Sequence, residues 1–170
     1  LTARIAPRVA EVVSVEIDQH LFQLASEELI DCENVTLLQQ DVLKNKNQLT
    51  GDVLESIWER MGDSNCFKLV ANLPYNIASP LLLNLLDHAP QVTKLIVMVQ
   101  REVGERFAAK VGTSSYGIPS VKAQYWADVS IVGHIPPNVF FPAPKVDSVL
   151  LEFSRKRNVE TVEMGVLWRL

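Results

Sequence analysis

Four consecutive residues, Asn72-Leu73-Pro74-Tyr75, have the chemistry to hold a flat ring that carries an exocyclic amine. The Asn72 side chain offers a carbonyl oxygen as acceptor. Pro74 has no N–H, so the turn is short of one donor and its φ is fixed. Tyr75 presents a ring face for stacking. The turn comes after an apolar run at 67–71 that reads as a buried strand, and it precedes a leucine-rich run at 81–86 that reads as a helix. It therefore stands at the carboxyl end of a strand, the edge at which open α/β sheets bind ligands. Asn and Pro are also common in strand-to-helix turns for conformational reasons alone. Taken by itself, the stretch leaves both readings open.

Two acidic residues have a comparable position. Glu16 ends an apolar strand read at 12–16, where a carboxylate can accept two hydrogen bonds from ribose hydroxyls or stand as a solvated cap. Asp41 ends the strand read at 35–39, where it is a candidate ligand for a base or the N-cap of a following helix. Asp18 opens the helix read at 19–28 and reads as that helix's cap. Ser79 reads as an N-cap with Pro80 at the first helical position. His20, His88 and His134 adjoin no nucleophile motif and read as non-catalytic. Cys32 and Cys66 form no pattern; no disulfide and no metal site are expected, and a reducing compartment suits them. The pair Phe140-Phe141 lies in a loop stiffened by Pro136, Pro137, Pro142 and Pro144, where a ring either plugs the sheet end or stacks on a ligand.

The elements that must position these residues alternate. Strands read at 12–16, 35–39, 67–71 and 95–99 are separated by helices at 19–28, 49–60 and 81–86. A helix at 101–110, a small-residue loop at 111–115, a helix near 120–126 and two strands at 129–135 and 148–153 complete the chain. This order predicts an α/β fold with a mainly parallel sheet and helices on both faces. The proline-rich hairpin adds a late antiparallel strand at one end.

The 170 residues are 48% hydrophobic and 21% charged, which fits a single globular domain with a core. No apolar run approaches the roughly 18 residues of a membrane span. The net charge of −4 at first argues against a nucleic-acid partner. Its distribution does not. Residues 1–93 hold 6 basic and 13 acidic side chains, and residues 94–170 hold 10 basic and 7 acidic. A phosphate backbone is met by a local patch, so the balance of the second half matters more than the total. Arg155-Lys156-Arg157 reads as a solvated linker or an RNA contact.

Asn72-Leu73-Pro74-Tyr75-Asn76-Ile77 resembles the fourth motif of the ribosomal RNA adenine dimethyltransferases. Val15-Glu16-Ile17-Asp18 resembles that family's acidic strand end, Gln39-Gln40-Asp41-Val42 its third-strand motif, and Phe140-Phe141-Pro142-Ala143-Pro144-Lys145-Val146-Asp147-Ser148 its late Phe-x-Pro-x-Pro-Lys-Val-Asp-Ser loop. The four stand in register over about residues 1–155. The resemblance implies a Rossmann-like class I S-adenosylmethionine-dependent methyltransferase, which transfers methyl groups to N6 of adenines in small-subunit ribosomal RNA. It assigns S-adenosyl-L-methionine to Glu16, Ile17, Asp41, Val42 and Asn72. Glu16 would hold the ribose, Ile17 a face of the adenine, and Asp41 with the Val42 N–H its polar edge. It assigns the target base to Asn72, to a carbonyl of Leu73 or Pro74, and to stacking between Tyr75 and Phe140.

The resemblance also implies that residues 1–154 are the methyltransferase domain and that 155–170 are a linker or the start of a small helical domain. The expected partner is the immature small ribosomal subunit, met by a monomer in the cytoplasm without membrane or metal. One departure stands out. The family's Gly-x-Gly strand end has no counterpart here, so the chain reads as a fragment whose strand at 12–16 lacks a neighbour. Two alternatives share the same fold. One is a non-catalytic RNA-binding, assembly or transcription factor. The other is a large-subunit RNA methyltransferase that confers antibiotic resistance, which Leu73, in place of the more usual Ile, weakly disfavours.

Overall fold

The computed structural model describes residues 1–45, 48–64, 66–157 and 159. The chain divides into two compact units, Leu1–Asn65 and Cys66–Leu170.

The first unit opens with a short helix α1 (Thr2–Ile5) and a 3₁₀ turn (Ala6–Arg8). The Asn34 side-chain amide donates to the carbonyls of Ala6 and Val9 and fastens this entry. Strand β1 (Val12–Glu16) is rich in β-branched residues and pairs in parallel with β2 (Val35–Gln39). Between them runs α2 (Gln19–Glu28), capped as expected by Asp18, whose Oδ1 accepts from the N–H groups of His20 and Leu21 at 2.8 and 2.9 Å.

The segment after β2 departs from the expected pattern. Instead of a helix beginning at Leu49, a small antiparallel hairpin, β3 (Leu43–Asn45) with β4 (Gln48–Leu49), precedes α3 (Gly51–Met61). Leu49 shares the apolar spacing of Val53 and Ile57, but its backbone pairs with Leu43. All three side chains are buried, so the spacing located the core without locating the helix start. Gly62 ends α3 at φ 51°, ψ −126°, a conformation that favours glycine.

The second unit is a four-stranded sheet in the order β5-β6-β8-β7. Strand β5 (Phe67–Asn72) is parallel to β6 (Val92–Gln100) and connected to it through α4 (Ala78–His88). Two helices come next, α5 (Arg101–Phe107) and α6 (Ile118–Trp126). Strands β7 (Ala127–Ile135) and β8 (Ser148–Arg155) form the late hairpin. The antiparallel strand does not lie at the sheet's end. β8 inserts between β6 and β7, antiparallel to both, and β7 takes the edge.

The core of this unit is fully buried, with Leu82, Leu86, Leu95, Val97, Val99, Val149 and Leu151 around an edge-to-face pair of Phe107 and Phe153 at 5.5 Å. Gly104 lets α5 approach β8: a Cβ built there would run into the Val149 side chain. β5 is less buried than its composition suggested. It alternates along its length, with Lys68, Val70 and Asn72 exposed.

Two further expectations need correction. Helix α4 starts at Ala78 after Ile77, and Ser79 makes no capping bond; Pro80 lies deeper in the first turn, where its missing N–H still costs nothing. Arg155 is no linker residue. It is the last residue of β8, half buried, and its guanidinium donates to the carbonyls of Leu85, Leu86, Ala89 and Val92 and lies over the Trp126 ring. Lys156 donates through Nζ to the Gln124 carbonyl. The basic pair thus closes the end of α4 and α6 onto the sheet. Residues 160–170, where a linker or helical domain was expected, lie outside the described residues. No described helix is long and apolar enough to cross a membrane.

Candidate functional site

Strand register determines which loops share an edge in the second unit. Asn72 pairs with Met98, Gln100 with Ser148, and Ile135 with Ser148. The turn after β5, the β6–α5 junction and the loop between β7 and β8 therefore leave the sheet along one edge, at the carboxyl ends of β5 and β6.

The pairing continues one residue past β5, since the Leu73 N–H donates to the Met98 carbonyl at 3.3 Å. Leu73 is buried and anchors the turn. The Pro74 carbonyl accepts from the N–H groups of Ile77 and Ala78, both at 3.2 Å, and so starts α4. Of the two carbonyls considered for an amine, Pro74's is already occupied. Leu73's has no donor among the described residues. The Asn72 side chain is exposed and forms no hydrogen bond among the described residues. Tyr75 is 42% exposed. The turn thus offers an amide oxygen, a backbone oxygen and an open aromatic face.

Across the same edge, the 136–147 loop is tied at both ends. The Phe140 N–H donates to the Pro137 carbonyl, and the Arg101 N–H donates to the Asp147 carbonyl at 2.9 Å. The Arg101 guanidinium bridges Glu105 at 2.7 Å and Asp147 at 3.6 Å. Phe140 is half buried and Phe141 is wholly exposed. Motif reading does not single out Arg101 as the clasp of this loop. Its only signal is a cation placed directly after an apolar strand, which is too common to interpret.

The first unit has an acidic edge of its own. Glu16 pairs with Gln39, and the Gln40 N–H donates to the Glu16 carbonyl, so Glu16 and Asp41 emerge from the ends of adjacent parallel strands. Glu16 Oε1 accepts from the Asp18 N–H at 2.9 Å, which orients the carboxylate and leaves its other oxygen free. Ile17 is exposed between them. Asp41 caps no helix: its Oδ1 accepts from the Leu43 N–H at 2.9 Å and its carbonyl from the Thr50 hydroxyl at 2.7 Å, holding the bend into the β3–β4 hairpin. The Val42 carbonyl accepts from the Thr50 N–H, while its own N–H has no acceptor among the described residues. A free carboxylate oxygen, a second carboxylate and a free N–H suit a ribose and the polar edge of a base. Asp18 is held below the usual carboxylate range, chiefly by the Leu21 N–H.

All three histidines are exposed, and neither cysteine is joined in a disulfide among the described residues. Among the described residues, no three His, Cys, Asp or Glu side chains converge as they would around a metal ion.

A family model described as "Ribosomal RNA adenine dimethylase" matches residues 1–168. The "Ribosomal RNA small subunit methyltransferase A" of Staphylococcus carnosus is 39% identical over 157 residues, 92% of this chain and 51% of that protein. The protein of the same name from Bacillus mycoides is 40% identical over 156 residues, with the same coverage. The chain spans about half the length of the curated relatives it matches. Among solved structures, a dimethyladenosine transferase from Plasmodium falciparum superposes with a TM-score of 0.77 at 24% identity, over 96% of this chain and 55% of that one. The 23S rRNA methyltransferase ErmE superposes with a TM-score of 0.75 at 23% identity, over 99% and 61%. The fold is the Rossmann-like α/β fold of class I methyltransferases, as the resemblance implied; the sheet of the second unit is mixed, with one parallel and two antiparallel pairings, where the alternation of elements predicted a mainly parallel one.

Proposed function

Since this chain belongs to the ribosomal RNA adenine dimethylase family, we propose that it carries the site of an enzyme that transfers methyl groups from S-adenosyl-L-methionine to N6 of adenines in small-subunit ribosomal RNA. The observation that carries the proposal is the unpartnered pair of acceptors at the end of β5, the Asn72 side-chain oxygen and the Leu73 carbonyl, beside the open ring of Tyr75. The relatives named for the small subunit, at 39–40% identity, favour that RNA over the large-subunit substrate of the 23S enzyme, at 23%.

The chemistry starts from the amine. The N6 lone pair of adenine is delocalised into the ring and is a poor nucleophile. Two N–H groups donated to Asn72 Oδ1 and the Leu73 carbonyl favour a tetrahedral nitrogen and stabilise the positive charge that develops on it. The Leu73 carbonyl is fixed in advance by the burial of its residue and by the Leu73 N–H bond to Met98, and Asn72 stands at the end of a paired strand. The rest of the task is mainly positioning. No general base need act before attack, because the cationic product nitrogen is acidic. Tyr75 and Phe140 stack on the base once it leaves its helix and offset part of the unstacking cost.

The cofactor supplies an electrophilic methyl on a sulfonium when bound. On the first unit, the free oxygen of Glu16 would accept from the ribose hydroxyls, Ile17 would cover a face of its adenine, and Asp41 with the Val42 N–H would read the edge of that base. The partner is the immature small subunit, met by a monomer in the cytoplasm.

The test is methyl transfer from labelled S-adenosylmethionine by the full-length protein to small subunits that lack dimethyladenine. Label recovered as N6,N6-dimethyladenosine is expected. Label absent, or on large-subunit RNA alone, overturns the proposal.

A further inference from the structure

The loop that carries Phe140 holds a second ring that the mechanism leaves unused. Phe141 is 102% exposed, as open as a phenylalanine in an extended chain. Val139 and Val146 on the same loop are also exposed. Large apolar side chains scattered singly over a surface need no explanation, but a fully open phenylalanine with two exposed valines on the same short loop asks for one.

The loop is not slack. Val139 and Phe140 close a turn on Pro136 and Pro137, and Asp147 is held by both the backbone and the guanidinium of Arg101. Prolines fix φ at four of its positions. The ring is therefore presented to solvent by a fixed backbone, which lowers the entropic cost of using it.

Charge narrows the occupant. Asp147 is the loop's one carboxylate, and it is paired with Arg101. Lys145 is exposed and has no partner among the described residues. An open ring and an unpaired cation four residues apart on one loop complement a base and a phosphate, the two features with which single-stranded nucleic acid is held. Register puts this loop on the same sheet edge as Asn72 and Tyr75.

We propose that Phe141 is a stacking platform for an unpaired RNA base next to the adenine held at Asn72–Tyr75, with Lys145 against an adjoining phosphate. This rests on the reading of the chain as an RNA-methylating enzyme. It makes Phe141 a positioning residue for the strand and gives it no part in the transfer step.

The test uses the full-length protein, small subunits lacking dimethyladenine as substrate, and a fluorescent single-stranded RNA oligonucleotide as binding probe. Because Phe141 touches nothing it would unsettle, its variants should fold as the wild type does, which a melting curve verifies. Phe141→Ala and Phe141→Leu should raise KM for the subunit by about 5- to 100-fold and leave kcat and cofactor affinity unchanged, while Phe141→Trp restores KM. Lys145→Met should reduce the slope of log Kd against log salt for the oligonucleotide by about 0.7. Wild-type KM in Phe141→Ala overturns the proposal. So does full function in Phe141→Leu, since that would make the patch a plain apolar contact, as for a protein partner. If the wild type transfers no methyl group, the enzyme reading fails separately. Oligonucleotide binding then decides for Phe141: weakened binding in Phe141→Ala supports the platform, and equal binding overturns it.

Discussion

Val92, Leu95, Val97, Val99, Val149, Leu151 and Phe153 in the second unit are completely shielded, whereas no residue of β1, β2 or α2 in the first unit is buried. The strands of both units are similarly apolar. They differ in what covers them. β6 and β8 each have a strand on both sides and carry α5 against them. β1 pairs only with β2 among the described residues, and parallel strands are normally covered on both faces. Residues with few buried contacts open at low free energy. Among the described residues, the acceptors proposed for a target amine therefore stand on the more deeply packed sheet, and the acidic edge stands on the more exposed one.

The largest test of this contrast is packing. Phe153→Ala should cost about 3–5 kcal/mol of stability, read by denaturant midpoint. Val13→Ala in the half-covered β1 should cost roughly 1 kcal/mol, the value of one or two partly buried methyl groups. Equal costs would erase the distinction between the units.

Chemistry comes next. Asn72→Ala should lower kcat by about 10²–10³, the effect of removing one preorganised partner of the transition state, with RNA affinity nearly unchanged. Labelled-methyl transfer under saturating RNA measures it.

A smaller effect is expected where the second unit is stitched together. Arg155→Lys keeps the charge but cannot reach four carbonyls at once, and should cost about 1–3 kcal/mol by thermal unfolding. On the more exposed unit, Glu16→Ala should weaken cofactor binding by about 1–3 kcal/mol in calorimetry, with little change in folding. Unfolding with intact affinity in the survivors would instead make Glu16 a structural residue.

The smallest effect concerns pH. Burial pushes the Asp87 carboxyl up, against the Trp126 N–H that donates to it at 2.7 Å and the nearby cations Lys122, His88 and Arg155. The folded protein then holds this proton to higher pH than the unfolded chain does. The contribution of Asp87 to stability is greatest below the ordinary aspartate range and declines as pH rises through the raised folded value. Asp87→Asn keeps an oxygen for Trp126 and removes the titration. The stability difference, variant minus wild type, should therefore grow with pH from about 4 upward. A flat difference would show that Asp87 is solvated after all.

Much of this is legible in the order of residues. Val12–Glu16, Gln19–Glu28 and Val35–Gln39 read from the sequence with the bounds they have, because β-branched runs and the Asp18 cap are local signals. The short motif at 72–75 points to a turn whose side-chain oxygen and ring stay open among the described residues, because Asn, Pro and Tyr state their chemistry without any partner. Leu49 misleads, since helical spacing and burial coincide in a residue whose backbone pairs with Leu43. Arg155 looks like a linker cation, and only the fold brings it to four carbonyls at the end of α4 and the start of β6.

Tertiary structure alone decided between the two carbonyls of the turn. Nothing in the letters says that Pro74's oxygen is used to start α4 while Leu73's stays free. Nor do they say which of two adjacent phenylalanines is half covered and which stands in water. Residue type determines what a group can donate, accept or stack upon. Which groups remain unsatisfied depends on the hydrogen bonds and packing that non-local neighbours make first.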